Sequence, residues 1–541
     1  MPRMTGGDAI VDSLLRHGID TIYGLPGVQL YGLFDAFARN ANRLRVVNAR
    51  HEQTTAYMAF GAAQSTGKPQ ACSVVPGPGL LNAATALSTA WGVNSPVICI
   101  TGEVPSAQLG RERRQLHELP NQLATMKTLF KFAERIEHPT DAPDVMGRAF
   151  QAMMSGRPGP VVVEMPWDQF PATAEVTPQE PLPLRAVPVP DPERIAALAK
   201  LIDAAKAPMI WVGGGAADAG PEVLALAERI GAPVASMRMG KGVVDARHPL
   251  AMTSQAAFGL WDETDLLIGI GTRLDVPLGR FAPSPKGLKV GRIDIDAAEH
   301  RRLIVDVPIV ADAAAGAKAL TAAVALKPGA AWRTRIAECK AEGRAKMQTA
   351  QPQWGIVEAI RDAVGEDGII VDEVTQVAYI AWYGMEIYKP RSLISSGFSG
   401  TLGYGFPTAL GVKDANRDKR VVSITGDGGF LYGGADLATA VQHGINLVTV
   451  LVNNSAYGNV LRDQKRLFDG RHSGSELVNP DFQTFAKAFG VPSWRVTDTA
   501  GLRDALEEAF NANAPAVVEV MSDITKDYPP FEFHAPRTAK R

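Results

Sequence analysis

The sequence predicts an α/β protein made of three doubly wound parallel-sheet domains. Apolar runs of strand length alternate with helical patterns along the chain, which is typical of parallel sheets covered by helices. The chain has 541 residues, enough for about three domains of ordinary size. Seven prolines between residues 171 and 192 interrupt the alternation. They predict an extended surface linker, because proline disrupts the interiors of helices and sheets.

The first predicted domain covers residues 1–170. Its apolar runs predict strands over 46–49, 70–75 and 96–102, with helices over 51–65 and 80–92. After the linker 171–192, a Rossmann-like central domain is predicted over 193–326. A helical linker over 327–352 then leads to the third domain, 353–541. Strands are predicted there over 368–374, 420–426, 447–454 and 515–521. The first and third domains are similar in size, yet their sequences show no recognisable repeat.

Composition excludes several functional classes. Hydrophobic residues make up 46% of the chain, and 55 basic residues balance 57 acidic ones, so no polybasic nucleic-acid surface is predicted. Three cysteines give neither a disulfide framework nor paired zinc ligands. The N-terminus lacks the apolar core of a signal peptide, and no apolar run reaches the ~20 residues of a membrane span. We therefore expect a cytoplasmic protein that binds neither nucleic acid nor membrane.

Polar residues follow two apolar strands of the third domain. One strand runs into Gly426-Asp427-Gly428, the other into Asn453-Asn454, and a helical stretch over 435–443 lies between them. Because parallel strands end at the same sheet edge, both polar ends are expected where α/β sheets bind ligands. Asp427, Asn454 and the carbonyl of Ala456 offer oxygen ligands suited to Mg²⁺ on a diphosphate. Gly428 and Gly429 let the backbone approach phosphate closely. A lone Gly-Asp-Gly also fits a plain turn after a buried strand.

The spacing of 27 residues between Asp427 and Asn454 gives the pattern its specificity. The segment resembles the thiamine diphosphate signature of the decarboxylase and acetolactate synthase superfamily. That resemblance implies thiamine diphosphate and Mg²⁺ as cofactors, with three metal ligands: Asp427, Asn454 and Ala456. It implies cofactor contacts across this region: Gly426, Asp427, Gly428, Gly429, Asn454, Ala456 and Tyr457. Here Gly429 replaces a serine that is common in the superfamily.

The resemblance extends upstream to a glycine-rich turn and a diphosphate-contacting loop. Gly400 and Thr401 would border the cofactor, and Leu402 stands where a bulky side chain props it in a V shape. Gln376 matches the diphosphate loop, whereas Val377 replaces a histidine that often follows it. Gly400, Thr401, Leu402 and Gln376 are therefore predicted cofactor contacts. The contact that the family's histidine makes has no counterpart at Val377.

The first domain carries Glu52 directly after a predicted strand. A glutamate at a helix start also has a simple structural explanation, since it interacts favourably with the helix dipole. In the resembling superfamily a glutamate here hydrogen-bonds the aminopyrimidine ring and promotes proton transfer from the thiazolium carbon. The resemblance therefore implies a catalytic role for Glu52 and a pyrimidine-binding first domain. It also implies cofactor contacts from Pro26 and Gly27, in the turn Tyr23–Gly27, and from Asn82, after a Gly-Pro-Gly turn.

The sequence defines the substrate-binding residues less well than the cofactor-binding residues. The chain resembles acetolactate synthase large subunits over nearly its full length, which implies a 2-oxo acid decarboxylating carboligase. His117 lies where that group usually has glutamine, and is predicted to act as an acid or base; a histidine on a solvated loop is the alternative. The group's tryptophan after the metal loop is absent from 459–468. A lyase, hydrolase or simple decarboxylase therefore stays open as the alternative function, with a 2-oxo acid or another acyl donor as substrate.

Two alternative functions from other classes have weaker support in the sequence. A cofactor-binding protein without turnover is disfavoured by the joint presence of Glu52, Asp427 and Asn454. A nicotinamide dehydrogenase is disfavoured because Gly213-Gly214-Gly215 lacks the full dinucleotide fingerprint. FAD stays uncertain, because the stretch 271–275 matches a related FAD-contacting segment while the turn expected after 248–250 is missing. The resemblance implies a homodimer or homotetramer with active sites at the subunit interface.

Overall fold

The structure, a computed structural model, describes residues 1–280, 283–327 and 330–526. Three six-stranded sheets dominate it, and every strand pair within them is parallel. Helices cover the sheets, so the predicted α/β class with three parallel-sheet units is confirmed. The exact predicted domain boundaries stay predictions. No helix of the described residues is long and apolar enough to cross a membrane.

The first unit carries a sheet of order β3-β2-β4-β5-β7-β6. Predicted and observed strands agree to within one or two residues, because each contains a short apolar run; β5 is wholly buried, β4 almost wholly and β3 only in part. Its elements are β1 (Arg3–Thr5), α1 (Gly6–Arg16), β2 (Thr21–Gly24), α2 (Tyr31–Arg39), β3 (Arg45–Asn48), α3 (Glu52–Thr66), β4 (Gln70–Val74), α4 (Pro78–Gly92), β5 (Val97–Glu103), α5 (Gln122–Leu129), β6 (Phe132–Arg135), α6 (Ala142–Met154), β7 (Val161–Pro166) and β8 (Thr173–Glu175).

The predicted linker over 171–192 is wrong in one detail. Residues 173–175 form β8, which pairs antiparallel with β1, with Arg3 opposite Glu175. The five residues between Pro171 and Thr177 contain no proline, so their backbone amides are free to join an edge pair. From residue 176 to 191 the described chain has no helix or strand.

The central unit has the strand order β11-β10-β9-β12-β13-β14. Numbered within the unit this is 3-2-1-4-5-6, the order of dinucleotide-binding sheets, whose ligand crevice lies where the order reverses. Its elements are α7 (Pro192–Ala204), β9 (Pro208–Val212), α8 (Gly220–Ile230), β10 (Val234–Ser236), β11 (Ala251–Thr253), α9 (Ser254–Gly259), β12 (Leu266–Ile270), α10 (Asp275–Arg280), β13 (Lys289–Asp294), β14 (Val307–Val310) and α11 (Ala313–Ala323).

The third unit has the strand order β16-β15-β17-β18-β20-β19. Numbered within the unit this is 2-1-3-4-6-5, identical to the first unit, so the two share a topology that their sequences do not reveal. Its elements, with the preceding linker helix, are α12 (Ala330–Gln348), α13 (Gln353–Val364), β15 (Ile369–Val371), α14 (Gln376–Gly384), β16 (Leu393–Ile394), α15 (Gly405–Ala415), β17 (Val421–Gly426), α16 (Asp427–Phe430), α17 (Leu437–His443), β18 (Val448–Asn453), α18 (Gly458–Leu467), α19 (Phe482–Ala488), β19 (Ser493–Val496), α20 (Thr499–Asn511) and β20 (Ala516–Met521).

The first and third units pack on each other through α3 and α15. A Cβ added at Gly61 would lie 2.1 Å from the Thr408 carbonyl oxygen, and one at Gly411 would lie 2.0 Å from the Met58 carbonyl oxygen. Glycine therefore permits a backbone-to-backbone approach that no other residue allows. The two units share one hydrophobic core across this contact, which fixes the sheet edges of both units relative to each other.

Candidate functional site

The Gly-Asp-Gly segment lies at the carboxyl end of β17. Gly426 ends the strand, and Asp427 begins α16 with its carboxylate almost fully buried. Asp427 Oδ2 accepts a hydrogen bond from Asn479 Nδ2 at 2.7 Å. Burial raises the pKa of Asp427, and the Asn479 bond opposes that rise. A cation at this carboxylate would offset the desolvation of the charged form.

The neighbouring strand β18 ends at Asn453, whose side chain turns inward. Its Nδ2 donates to Glu519 Oε1 at 2.7 Å, and its Oδ1 accepts from Ser455 N and from Asn479 Nδ2. Asn479 thereby bridges the ends of β17 and β18. Of the two consecutive asparagines, Asn453 fixes the loop, which leaves Asn454, half-buried, as the one available to a ligand.

The segment after Asn454 is held in a specific conformation. Ser455 has a φ of 55°, in the left-handed region that is uncommon for residues other than glycine. The Ser455 carbonyl accepts from Leu477 N and Tyr457 N donates to the Ser475 carbonyl. Neither bond uses the carbonyl of Ala456, the third predicted metal ligand. Strained backbone of this kind is often found at functional sites.

The described residues contain no group of three or more His, Cys, Asp and Glu side chains able to hold a metal. A zinc-type or iron-type side-chain site is therefore absent from that part of the chain. One carboxylate, one amide oxygen and one backbone carbonyl form a hard-oxygen set, which suits Mg²⁺ when phosphate oxygens and water complete the octahedron.

Two glycines of α16 are required by their neighbours. A Cβ at Gly428 would lie 2.5 Å from the Tyr457 ring, and one at Gly429 would lie 2.2 Å from Glu373 Oε1. Glu373 thus occupies the space that a serine at position 429 would need. This explains why glycine stands at that position in this chain.

Glu373 and Asp372 are two buried carboxylates directly after β15, and neither was predicted as a site residue. Glu373 accepts from Thr425 Oγ1 and from the backbone amide of Gly403. It thereby connects three loops, those after β15, before α15 and at the end of β17. Burial raises the pKa of Glu373 to about 7. The sequence shows two adjacent acids after an apolar strand, which a solvated turn would also show. Glu373 begins the stretch 373–376 that resembles the diphosphate-contacting loop, but only Gln376 was predicted as a contact.

Asp372 accepts from Trp382 Nε1 and Tyr404 OH. Burial raises its pKa to about 6, against the lowering effect of these hydrogen bonds. The next element starts with Gln376, whose amide donates to Asn459 Oδ1. That bond connects the start of α14 with the start of α18. The predicted diphosphate loop is therefore linked to the segment after the metal loop.

The glycine-rich turn precedes α15. Gly400 is exposed with a φ of 58°, and Thr401 and Leu402 are half-buried. Thr401 Oγ1 lies 3.1 Å from Thr89 Oγ1 on α4 of the same chain. Together with residues 376, 426–429 and 454–457, this turn forms what we call the C-terminal cluster, along the carboxyl edge of the third sheet.

Glu52 begins α3, as predicted, and Glu52 Oε2 accepts from Asn82 Nδ2 on α4 at 3.1 Å. His51 caps the helix through its ring nitrogen, which accepts from Gln53 N. Gly79 lies against the Glu52 side chain, since an added Cβ there would be 3.3 Å from Glu52 Oε1. The two predicted residues Glu52 and Asn82 are thus brought into direct contact.

His117 approaches the same turn from another loop. An added Cβ at Gly77 would lie 2.2 Å from the His117 carbonyl oxygen, and His117 Nδ1 lies 3.1 Å from Gln29 Oε1. The His117 φ is 64°, a second strained residue. Gly27 packs on Val75, in the strand-to-helix turn that leads to Gly77, and Pro26 is exposed beside it. We call these five predicted residues the N-terminal cluster: Pro26, Gly27, Glu52, Asn82 and His117.

Within one chain the glycine-rich turn and the N-terminal cluster contact different parts of α4. Thr401 contacts α4 at Thr89, seven residues beyond Asn82, which is about 10 Å along the axis at ~1.5 Å per residue. Gly92, at the end of α4, adjoins Ser399. The glycine-rich turn therefore meets the C-terminal end of α4, whereas Glu52 lies near its N-terminal end.

The sequence matches three family profiles in the order of the three sheets. They are described as the thiamine pyrophosphate enzyme N-terminal TPP binding domain over residues 4–125, central domain over 195–320 and C-terminal TPP binding domain over 373–520. Several relatives are also similar to nearly the whole chain. The chain belongs to the thiamine pyrophosphate enzyme family. The C-terminal match begins at Glu373, the buried carboxylate that connects three loops of the C-terminal cluster.

Several relatives of this thiamine pyrophosphate enzyme are similar over nearly the whole chain. The acetolactate synthase isozyme 1 large subunit of Escherichia coli is 31% identical over 97% of this chain and 96% of its own. The acetolactate synthase large subunit of Corynebacterium glutamicum is 34% identical over 95% and 86%. A probable 2-ketoarginine decarboxylase of Pseudomonas aeruginosa is 32% identical over 96% and 94%.

Proposed function

We propose that this thiamine pyrophosphate enzyme is a Mg²⁺-dependent 2-oxo acid decarboxylating carboligase of the acetolactate synthase type, acting in the cytoplasm. The observation that carries the proposal is the C-terminal cluster. There Asp427 and the Asn453–Ala456 loop meet at the end of two adjacent strands, bridged by Asn479. Thiamine diphosphate, when bound, supplies a carbon nucleophile and an electron sink for decarboxylation.

The residues present fit a metal diphosphate. Gly428 and Gly429 carry no side chain at the start of α16, so their backbone can approach phosphate oxygens closely, and the carbonyl of Ala456 is not used by the bonds that hold its loop. We assign Asp427, Asn454 and Ala456 to the metal. Gln376, Gly400, Thr401, Leu402, Gly426 and Tyr457 complete the proposed cofactor-binding surface.

Glu52 and His117 are the proposed acid–base residues. Asn82 orients the Glu52 carboxylate, which we assign to the aminopyrimidine side of the cofactor, where it would exchange a proton with the ring. His117 is positioned by Gln29 and by the Gly77 turn, and is the proposed proton donor or acceptor near the substrate carbonyl. Both side chains are half-buried, which keeps them accessible to a substrate while limiting water.

We propose that each site is completed by a second copy of the chain, in a homodimer or homotetramer. The separation of Glu52 from the glycine-rich turn of its own chain supports this. Large apolar side chains near both clusters are also exposed, with exposed fractions of 45% at Leu81, 54% at Trp91 and 53% at Tyr432. Exposed aromatic and aliphatic side chains of this kind are enriched in subunit interfaces.

The central unit offers a place for FAD, which stays an open prediction. A cavity of about 500 Å³ lies at the carboxyl edge of its sheet, at the crevice expected for the 3-2-1-4-5-6 order. Gly213–Gly215, Arg238 and Arg273 line it. Arg238 Nε and Nη1 are buried and have no hydrogen-bond partner among the described residues, and such donors suit a diphosphate. Flavin absorbance of the purified protein decides occupancy.

The function is tested by measuring CO₂ release and products from purified protein with Mg²⁺ and thiamine diphosphate. Pyruvate and a panel of 2-oxo acids, including 2-ketoarginine, serve as donors. Release of CO₂ with a carbon–carbon coupled product supports the carboligase. CO₂ with only the aldehyde indicates the simple decarboxylase, and no CO₂ from any donor contradicts the proposal.

A further inference from the structure

A smaller cavity lies between the central unit, α12 and the third unit. Its volume is about 130 Å³, and no residue of the N-terminal or C-terminal cluster lines it. One wall comes from β9, β10, β11 and α9, and the other from α12, α13 and the segment after α14. Its apolar lining includes Val234, Met252, Val357 and Ile387. A ligand in this cavity would contact two units at once.

Hydrogen-bond donors in the cavity wall lack acceptors. Trp354 Nε1 and Arg361 Nε are buried without a hydrogen-bond partner among the described residues. Lys241 is 3% exposed, and its Nζ donates a hydrogen bond to the Met385 carbonyl at 2.7 Å. Buried unpaired donors are costly, and native structures keep few of them. Two unpaired donors and an ammonium group that can donate further bonds therefore surround one cavity, and they indicate a ligand that carries acceptor oxygens.

The charged side chains around the cavity favour a ligand with a single negative charge. Lys241, Lys340, Arg344 and Arg361 are balanced in part by Glu358, Asp362 and Glu386. Asp362 is engaged by Arg503 at 2.6 Å. Acids this close would repel a phosphate carrying two charges, whereas a single carboxylate would be tolerated. Burial lowers the pKa of Lys241 to about 7, against Glu386, which raises it. A carboxylate beside Lys241 would favour its charged form.

We propose that this cavity binds a small aliphatic monocarboxylate, with its oxygens on Trp354, Arg361 and Lys241 and its apolar end against Met252 and Val357. A cavity near 150 Å³ holds about six non-hydrogen atoms, so short-chain and branched acids fit. The bound acid joins the central and third units, and it stabilises their docked arrangement by mass action. Unreactive carboxylates and 2-oxo acids would both make these contacts. Isobutyrate, the probe used in the test, has no oxo group and therefore tests carboxylate binding alone.

The test is ¹⁹F NMR of the full chain labelled with 5-fluorotryptophan and titrated with isobutyrate. The Trp354 resonance is assigned as the one missing from Trp354→Phe. We expect that resonance to shift saturably with isobutyrate and to remain unchanged with isobutyramide, which has the same shape without the charge. No saturable shift, or an equal shift with isobutyramide, would overturn the proposal.

Arg361→Gln and Arg247→Gln form a matched pair of variants. Both arginines lie over the Tyr388 ring, at 4.6 and 4.7 Å, but only Arg361 lines the cavity. Arg361→Gln is expected to weaken isobutyrate binding by about tenfold or more, because a charge-assisted bond is lost. Arg247→Gln should change it less than about twofold by the same reasoning. Equal effects would contradict the assignment, and if Arg361→Gln does not fold, the isobutyrate and isobutyramide titrations of the unsubstituted chain decide alone.

Discussion

Asp427 is a buried carboxylate that accepts a 2.7 Å hydrogen bond from Asn479 Nδ2. Its neighbours Gly428 and Gly429 cannot be replaced without moving Tyr457 or Glu373. At the scale of single residues, the proposed metal-binding side of the site therefore depends on small residues around one acid. Glu52 on the other unit is held in a similarly specific way, by Asn82.

Glu52→Gln should abolish turnover while thiamine diphosphate binding with Mg²⁺ is largely kept, because the amide cannot exchange the proton. Activity and cofactor affinity are measured separately, by product assay and calorimetry. Glu193→Gln is the matched control, since Glu193 lies in the first turn of α7 and interacts with that helix dipole in the same way. Normal turnover in Glu52→Gln would remove the proposed role.

Asp427→Ala should weaken Mg²⁺-dependent binding of thiamine diphosphate by about tenfold or more, since the only carboxylate among the proposed metal ligands is lost. Calorimetric titration with and without Mg²⁺ measures the loss. Asp469→Ala, whose side chain is 88% exposed, serves as the control and should bind normally. Unchanged Mg²⁺-dependent affinity in Asp427→Ala would argue against the metal site.

Glu373 predicts a pH dependence of stability. Its pKa is about 7 in the folded chain, against an ordinary value of 4.5, so the folded state holds a proton that the unfolded state releases. Stability therefore falls as pH rises from about 4.5 to 7, by roughly 3 kcal/mol from this group. The thermal midpoint should fall less over this range in Glu373→Gln. Parallel pH profiles of the two proteins would contradict the prediction.

At the scale of elements, the crossing of α3 and α15 decides how the first and third units meet. Gly61 and Gly411 bring the helix backbones close together, and buried residues of both units form one cluster around them. The same α3 carries Glu52 at its start, and the same α15 follows the glycine-rich turn. Packing in the middle of these helices therefore positions the proposed site residues at the helix ends.

Gly61→Val should lower the free energy of unfolding by about 1–3 kcal/mol or more, because overpacking forces the helix backbones apart. The thermal midpoint and cofactor affinity should fall together. Gly279→Ala on α10 is the control, as an added Cβ there meets no atom within 4 Å. A Gly61→Val protein of unchanged midpoint would show that the helices separate at little cost.

At the scale of the whole molecule, the proposed shared site can be tested by mixing two inactive chains. Each hybrid dimer of Glu52→Gln and Asp427→Ala chains has one site in which both residues are intact. Random pairing would therefore restore about a quarter of the activity of the unsubstituted protein. Co-expressed chains with two affinity tags supply the hybrid, and each variant alone is the control. No restored activity in purified hybrids would place both residues in one chain's site.

The sequence by itself determined the α/β class, the sites along the chain where strands end in polar residues, and the chemical type of each candidate group. These follow from local patterns: apolar runs, glycines at turns, and the spacing from Asp427 to Asn454. Most strand bounds were predictable to within two residues for the same reason. The strand β8 was missed because its only partner lies at the far N-terminus.

Only the tertiary structure showed that the first and third units share a strand order, since topology is set by non-local pairing that sequence similarity no longer records. It alone identified Glu373 and Asp372 as buried acids, because burial depends on loops distant in sequence. It also decided that Asn453 is structural while Asn454 is available. Adjacent identical residues cannot be told apart by pattern; contacts with Glu519 and Asn479 distinguish them.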